Sequence, residues 1–208
     1  MSDFFPAVLY DSCKNFAHDY FATLAKATEL SDLSALNRVA ALLNETIKAG
    51  NFIYICGNGG SAGIANHSLC DFLKCVRTDT DLKPRFMSLS AHTEMNSALA
   101  NDISYDEVFA YQLQSMARPG DLLWTVSSSG DSENVVRALQ VGKEIGLKSI
   151  SFTGFSGGRS KGLADVNAHV DAQNYGVVED IHMAFIHILT QYLRMSHMDA
   201  ALIADRKF

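Results

Sequence analysis

Two short stretches of the 208-residue chain combine residue types suited to holding an anion. Gly57-Asn58-Gly59-Gly60-Ser61 follows an apolar run and precedes a helix-like stretch. Glycines let a backbone approach a ligand closely, and a helix N-terminus presents unpaired N–H groups to negative charge. Ser127-Ser128-Ser129-Gly130-Asp131-Ser132 has the same setting and sets four hydroxyls around a turn, with Ser132 as the expected N-cap. Neither stretch contains GxxxxGK[ST] or GxGxxG, so nucleoside triphosphate and dinucleotide sites are not expected. Hydroxyls and amides without an obligatory Lys suit a sugar phosphate monoester better. A Ser-rich turn alone is ordinarily just a cap, but two such loops at equivalent positions of successive units point to an anion site.

A second group of residues could move protons or hold a metal. His67 and Asp71 are four apart and share one helical face. Imidazole plus carboxylate suits zinc or a similar divalent ion, with too few ligands here to close a site; alone, such a pair is usually a surface hydrogen bond. Toward the C-terminus stand Glu179, Asp180, His182 and His187. On a helix His182 and His187 lie about 140° apart, so they cannot serve one site from the same face. Glu179 and His187 are separated by roughly 12 Å along the axis and can hardly meet at one ion. If both serve one site, either Glu179 precedes the helix or the site is shared between subunits, with His67 and Asp71 of one chain meeting a last-helix residue of another. Trp124 reads as core, His18 and His169 as isolated, and His92 as a loop residue. Residues 156–160 read as a turn whose Arg159 could approach an anion.

The elements that would position these groups are legible as texture. Residues 1–50 read as helices, with Phe4, Leu9, Phe16, Phe21, Leu24 and Leu30 at roughly helical spacing and a second amphipathic run over 33–47. Residues 51–196 alternate short apolar runs with helical stretches. The runs are 52–56, 85–89, 121–126, 148–153 and a weaker 167–170, which predicts an α/β fold with a five-stranded parallel sheet covered on both faces. Ligands of such sheets bind beyond the carboxyl ends of the strands, where both Gly/Ser loops fall. A last helix over 178–195 is apolar on more than one face, as expected of a helix buried in a core or against another subunit. The tail, 197–208, is mixed, and the chain reads as a single domain.

Composition removes several classes. With 48% hydrophobic and 19% charged residues, 14 Gly and 3 Pro, the chain is neither disordered nor low-complexity. Its 17 basic and 23 acidic residues, a net charge of -6, oppose wrapping of nucleic acid or anionic lipid. The first residues carry Asp3 and no basic n-region, and no apolar run reaches the roughly 20 residues of a membrane span. Cys13, Cys56, Cys70 and Cys75 lack CxxC spacing and are expected as reduced, mostly buried thiols. A cytoplasmic location is expected.

The paired loops, GNGGS and SSSGDS, resemble the phosphate-binding signatures of the SIS (sugar isomerase) domain family. The wider frame is similar to its phosphoheptose isomerase branch: GNGGSxxxxxH at 57–67, AND at 100–102, DEVF at 106–109, RPGD at 118–121, SxSGxSxNVxRAL at 127–139, FTG at 152–154 and IHxxxIHIL at 181–189. The resemblance implies a flavodoxin-like sheet with an N-terminal helical extension used in oligomerisation, in a homotetramer. It implies isomerisation of sedoheptulose 7-phosphate to D-glycero-D-manno-heptose 7-phosphate through an enediol(ate), for nucleotide-activated heptose synthesis. It places zinc on His67, Asp71, Glu179 and His187, with Asp71 and His187 as the acid–base pair. Ser61, Ser127, Ser129 and Ser132 would hold the phosphate, with Gly59 and Gly60 giving close approach. Asn58, Asp102, Ser128 and Glu179 would contact the sugar. The family usually carries Glu where this chain has Asp71, Gln where it has Glu179, and polar residues near Gly176 and Val177. These departures fit a site compensated for another long-chain ketose phosphate, such as an octulose phosphate, or a non-catalytic adaptor that binds the replication initiator. Retention of both His67 and His187 favours an enzyme.

Overall fold

The five apolar runs form five strands: β1 (Phe52–Gly57), β2 (Arg85–Ser88), β3 (Leu122–Ser127), β4 (Lys148–Thr153) and β5 (Val166–His169). The computed structural model describes residues 4–208. All strand pairs are parallel, in the order β2-β1-β3-β4-β5, which is the flavodoxin-like arrangement. Asp121 falls just outside β3 because its backbone N–H closes the preceding turn onto the Arg118 carbonyl at 3.1 Å. Its carboxylate accepts the N–H groups of Phe52 at 2.8 Å and Arg118 at 2.9 Å, tying the start of β1 to the turn before β3.

Helices cover both faces. Ile53, Ile55, Trp124 and Phe152 pack with Leu43 of α2 (Ser34–Lys48), Ile64 of α3 (Gly59–Cys70), and Ile181 and Phe185 of the last helix. On the other face Tyr54, Cys56 and Leu123 meet α4 (Thr93–Asp102) at Leu99, α5 (Ala110–Met116) at Leu113 and α6 (Glu133–Ile145) at Leu139. Every residue of β3 is buried, as a sheet covered on both sides requires. Trp124 stands edge-on to Phe72 and Phe152 and is core, as the sequence suggests.

Two expectations need correction. The first helix, α1 (Cys13–Leu30), begins only after Ser12, whose hydroxyl accepts the N–H of Asn15; Phe4 and Leu9 therefore precede it and are exposed. All four cysteines are free, but only Cys56 is buried, since Cys13 and Cys70 lie on outer helix surfaces. The tail is docked: buried Arg194 bonds the Lys207 carbonyl at 2.9 Å and Asp79 at 2.8 Å, and its guanidinium lies over the Phe208 ring. A short α7 (Ser160–Leu163) precedes β5, and α8 (Tyr175–His197) is capped by Asn174 accepting from Val177. Among the described residues no helix is long and apolar enough to cross a membrane.

Candidate active site

The chain leaves β1 for β2 on one side and β3 for β4 on the other, so a crevice opens between β1 and β3, where open α/β sheets hold their ligands. Both Gly/Ser loops sit there. Ser90 pins the first, accepting the Gly57 N–H at 3.1 Å and donating to the Gly57 carbonyl at 2.8 Å. In the second, Gly130 adopts φ +66°, and a Cβ there would fall 2.1 Å from the Gly157 carbonyl, so only glycine fits. Its N–H donates to the Ser127 hydroxyl at 3.1 Å, and the Asp131 N–H donates to Ser129 at 3.3 Å. Ser61, Ser127 and Ser128 are buried, and Ser128 Oγ has no hydrogen-bond partner. Ser132 holds the N-cap position without a capping bond from its hydroxyl; its carbonyl instead takes the N–H groups of Val135 and Val136.

Asn58 joins the loops. It exchanges amide hydrogen bonds of 2.8 and 3.0 Å with buried Asn134, and Tyr105 donates to Asn58 Oδ1 at 2.9 Å. Asn134 and Tyr105 escape a reading based on sequence spacing, because they reach Asn58 from 76 and 47 residues away. Asp102 is exposed at the end of α4 and accepts from Asn101 at 2.7 Å; Tyr105, three residues on, makes the contact to the loop.

The second group converges at the far end of α3. His67 Nε2 and His187 Nε2 are 3.1 Å apart, and Asp71 Oδ2 lies 3.4 Å from the first and 3.7 Å from the second. A π turn over Asp71–Cys75 opens at this carboxylate, with the Val76 N–H reaching the Asp71 carbonyl; such widened turns are frequent at functional sites. Asp71 Oδ2 is buried and has no hydrogen-bond partner. Ligand atoms around a tetrahedral zinc with bonds near 2 Å stand about 3.3 Å from one another, so the three separations and the orphaned oxygen fit a divalent cation.

Glu179 does not join this group. It lies within α8, and its carboxylate sits against Gly60 at the start of α3, where a Cβ would be 2.1 Å from Oε2. α3 and α8 run side by side with two polar levels, Gly60 with Glu179 and His67 with His187. His67, Asp71 and His187 meet within one chain, their ligand atoms all within 4.8 Å, so His187 reaches the His67–Asp71 pair without the second subunit expected to supply it. Burial, then Asp180, pushes the Glu179 carboxyl above its ordinary range. Tyr20 donates to Asp180 at 2.6 Å, and burial with that bond holds its phenol protonated. His182 faces away, fully buried, with Nε2 3.2 Å from the Thr153 carbonyl. A separate cleft between the N-terminal segment and α1, lined by Phe5, Tyr10, Lys26 and Asn174 among others, holds none of these groups. The donor atoms define the site, not the cleft.

The SIS domain family profile matches residues 15–154, and the chain belongs to that family. It is similar to the phosphoheptose isomerase of Aliarcobacter butzleri, 36% identical over 177 residues, which cover 84% of this chain and 93% of the relative. The phosphoheptose isomerase of Synechocystis sp. is 36% identical over 170 residues, 81% of this chain and 87% of that one. Among solved structures, a phosphoheptose isomerase from Neisseria gonorrhoeae superposes with a TM-score of 0.79 at 26% identity, covering 88% of this chain and 99% of that one.

Proposed function

We propose that this chain, a phosphosugar isomerase, interconverts sedoheptulose 7-phosphate and D-glycero-D-manno-heptose 7-phosphate and feeds the synthesis of a nucleotide-activated heptose. The spacing of two polar levels along α3 supports this reading. The anion loops lie at its start, and the His67–Asp71–His187 group begins seven residues beyond Gly60, about 10 Å along the axis. An extended seven-carbon chain with a terminal phosphate spans such a distance; a triose phosphate does not.

In this reading Ser61, Ser127, Ser129 and Ser132 hold the phosphate with the first N–H groups of α3 and α6. Asn58, Asp102, Ser128 and Glu179 contact the sugar. Asp71 takes the proton from the carbon beside the carbonyl and returns it to the neighbouring carbon, while His187, whose Nε2 is turned to His67 and Asp71, would move a proton between the two oxygens through Nδ1. Oδ2 of Asp71 faces the histidines, so proton transfer falls to Oδ1. A zinc or similar ion held by His67, Asp71 and His187 would supply polarisation of the carbonyl and hydroxyl oxygens. The reading includes self-association, probed below, as a homotetramer: α8 exposes Ala184, Ile188, Tyr192 and Met195 at helical spacing, and α1 exposes Phe21.

A coupled assay over six- to eight-carbon ketose phosphates tests the proposal. The seven-carbon substrate should give the highest kcat/KM, and Asp71→Asn should lower kcat by at least about 100-fold, the scale of a positioned acid–base group. An octulose phosphate turning over fastest would reassign the substrate. No turnover of any ketose phosphate would overturn the enzyme reading in favour of an adaptor.

A further inference from the structure

The second anion loop carries a carboxylate of its own. Asp131 stands between Gly130 and Ser132, on the turn whose hydroxyls and N–H groups face the phosphate in the reading above, and Glu133 opens the following helix. Two negative charges there oppose a phosphate dianion, because like charges around a partly desolvated site repel.

Arg159 answers both. Its Nε donates to Asp131 Oδ1 at 2.6 Å, Nη1 to Glu133 Oε2 at 2.9 Å and Nη2 to the Asp131 carbonyl at 2.9 Å, and its backbone N–H also donates to Asp131 Oδ1. The segment that bears Arg159 is locked to the same loop. The Gly154 N–H donates to the Ser128 carbonyl at 2.8 Å and the Ser160 N–H to the Gly130 carbonyl at 2.9 Å. Gly158, at φ +49°, packs so tightly on Gly130 that a Cβ would fall 2.5 Å from its carbonyl. Arg137, the neighbouring cation, is drawn to Glu133, Glu107 and Asp106 instead. Asp131 therefore depends on Arg159 for its compensation, and the guanidinium holds its carboxyl below the usual range.

We propose that Arg159 is a charge-compensating and positioning residue of the phosphate site: it neutralises Asp131 and holds the 128–132 turn, so that a phosphate monoester binds beside a carboxylate that would otherwise repel it. The inference rests on the phosphate reading of the two loops. Isothermal titration of the full chain with inorganic phosphate, at low and high salt, tests it without turnover. Arg159→Met should weaken phosphate binding by about tenfold at low salt, with the deficit shrinking as salt rises. The double variant Asp131→Asn/Arg159→Met should regain most of the lost affinity. Asp131→Asn alone should bind phosphate at least as tightly as the unmodified chain, and it carries the test if Arg159→Met does not fold. Unchanged affinity in Arg159→Met, a deficit indifferent to salt, no recovery in the double variant, or weaker binding by Asp131→Asn would each overturn the inference. An unmodified chain that binds no phosphate overturns the phosphate reading itself, and the inference with it.

Discussion

Asp71 Oδ2 is the atom on which the metal reading turns. A buried carboxylate oxygen without a partner destabilises a protein by roughly 1–3 kcal/mol, and this one lies between two imidazole nitrogens that can all serve as ligands. A divalent cation removes that penalty and uses every donor the geometry brings together. Glu179 is the discriminating residue, because the resemblance assigns it to the metal and the structure places it beside Gly60. His67→Ala and His187→Ala should therefore lose most bound zinc, measured by mass spectrometry on purified protein, whereas Glu179→Ala should retain it while altering KM for the sugar phosphate. Loss of zinc in Glu179→Ala equal to that in His67→Ala would return Glu179 to the ligand set.

At the scale of elements, the long helix α8 serves two faces at once, and His182 and His187 show how. His187 projects to α3, while His182 is sealed under β4, donating to the carbonyl that ends that strand. Burial lowers the His182 pKa from 6.5 to about 4. The unfolded chain thus takes up this proton first as pH falls below 6.5, so the stability contributed by the neutral ring is complete above that pH and declines toward pH 4. The full loss is about 3 kcal/mol for this shift. His169, half-buried on the same Thr153, is shifted downward by burial and adds to the slope. Thermal denaturation from pH 7 to 4 should show a shallower decline in His182→Gln than in the unmodified chain; parallel curves would remove His182 from the account. The same helix marks the limit of sequence reading. Strands announce themselves as apolar runs between Gly and Ser, and the anion loops and the His67–Asp71 pair are local patterns. The meeting of His187 with that pair, the Tyr105–Asn58–Asn134 link and the Arg159–Asp131 clamp depend on how distant elements pack. The π turn at Asp71 leaves no periodic signature at all.

For the whole molecule, the question is whether assembly completes the site or only surrounds it. Helix spacing suggests a shared site, since Glu179 and His187 cannot both reach one ion; the structure answers by leaving Glu179 at the other polar level and joining His67, Asp71 and His187 in one chain. Ile188 and Tyr192, each 50% exposed, lie just beyond His187 on the outer face of α8. A second copy packing there would cover the flank of the site. Subunit exchange separates the two arrangements. When Asp71→Asn and His187→Ala chains are unfolded and reassembled together, a site shared across a two-fold interface would restore one intact site in every mixed pair, about a quarter of the original activity. Sites complete within each chain would all keep a defect. The expected outcome is no activity above the sum of the two parents, with light scattering confirming that the chains reassembled; recovery near a quarter would assign His187 to the neighbouring subunit's site.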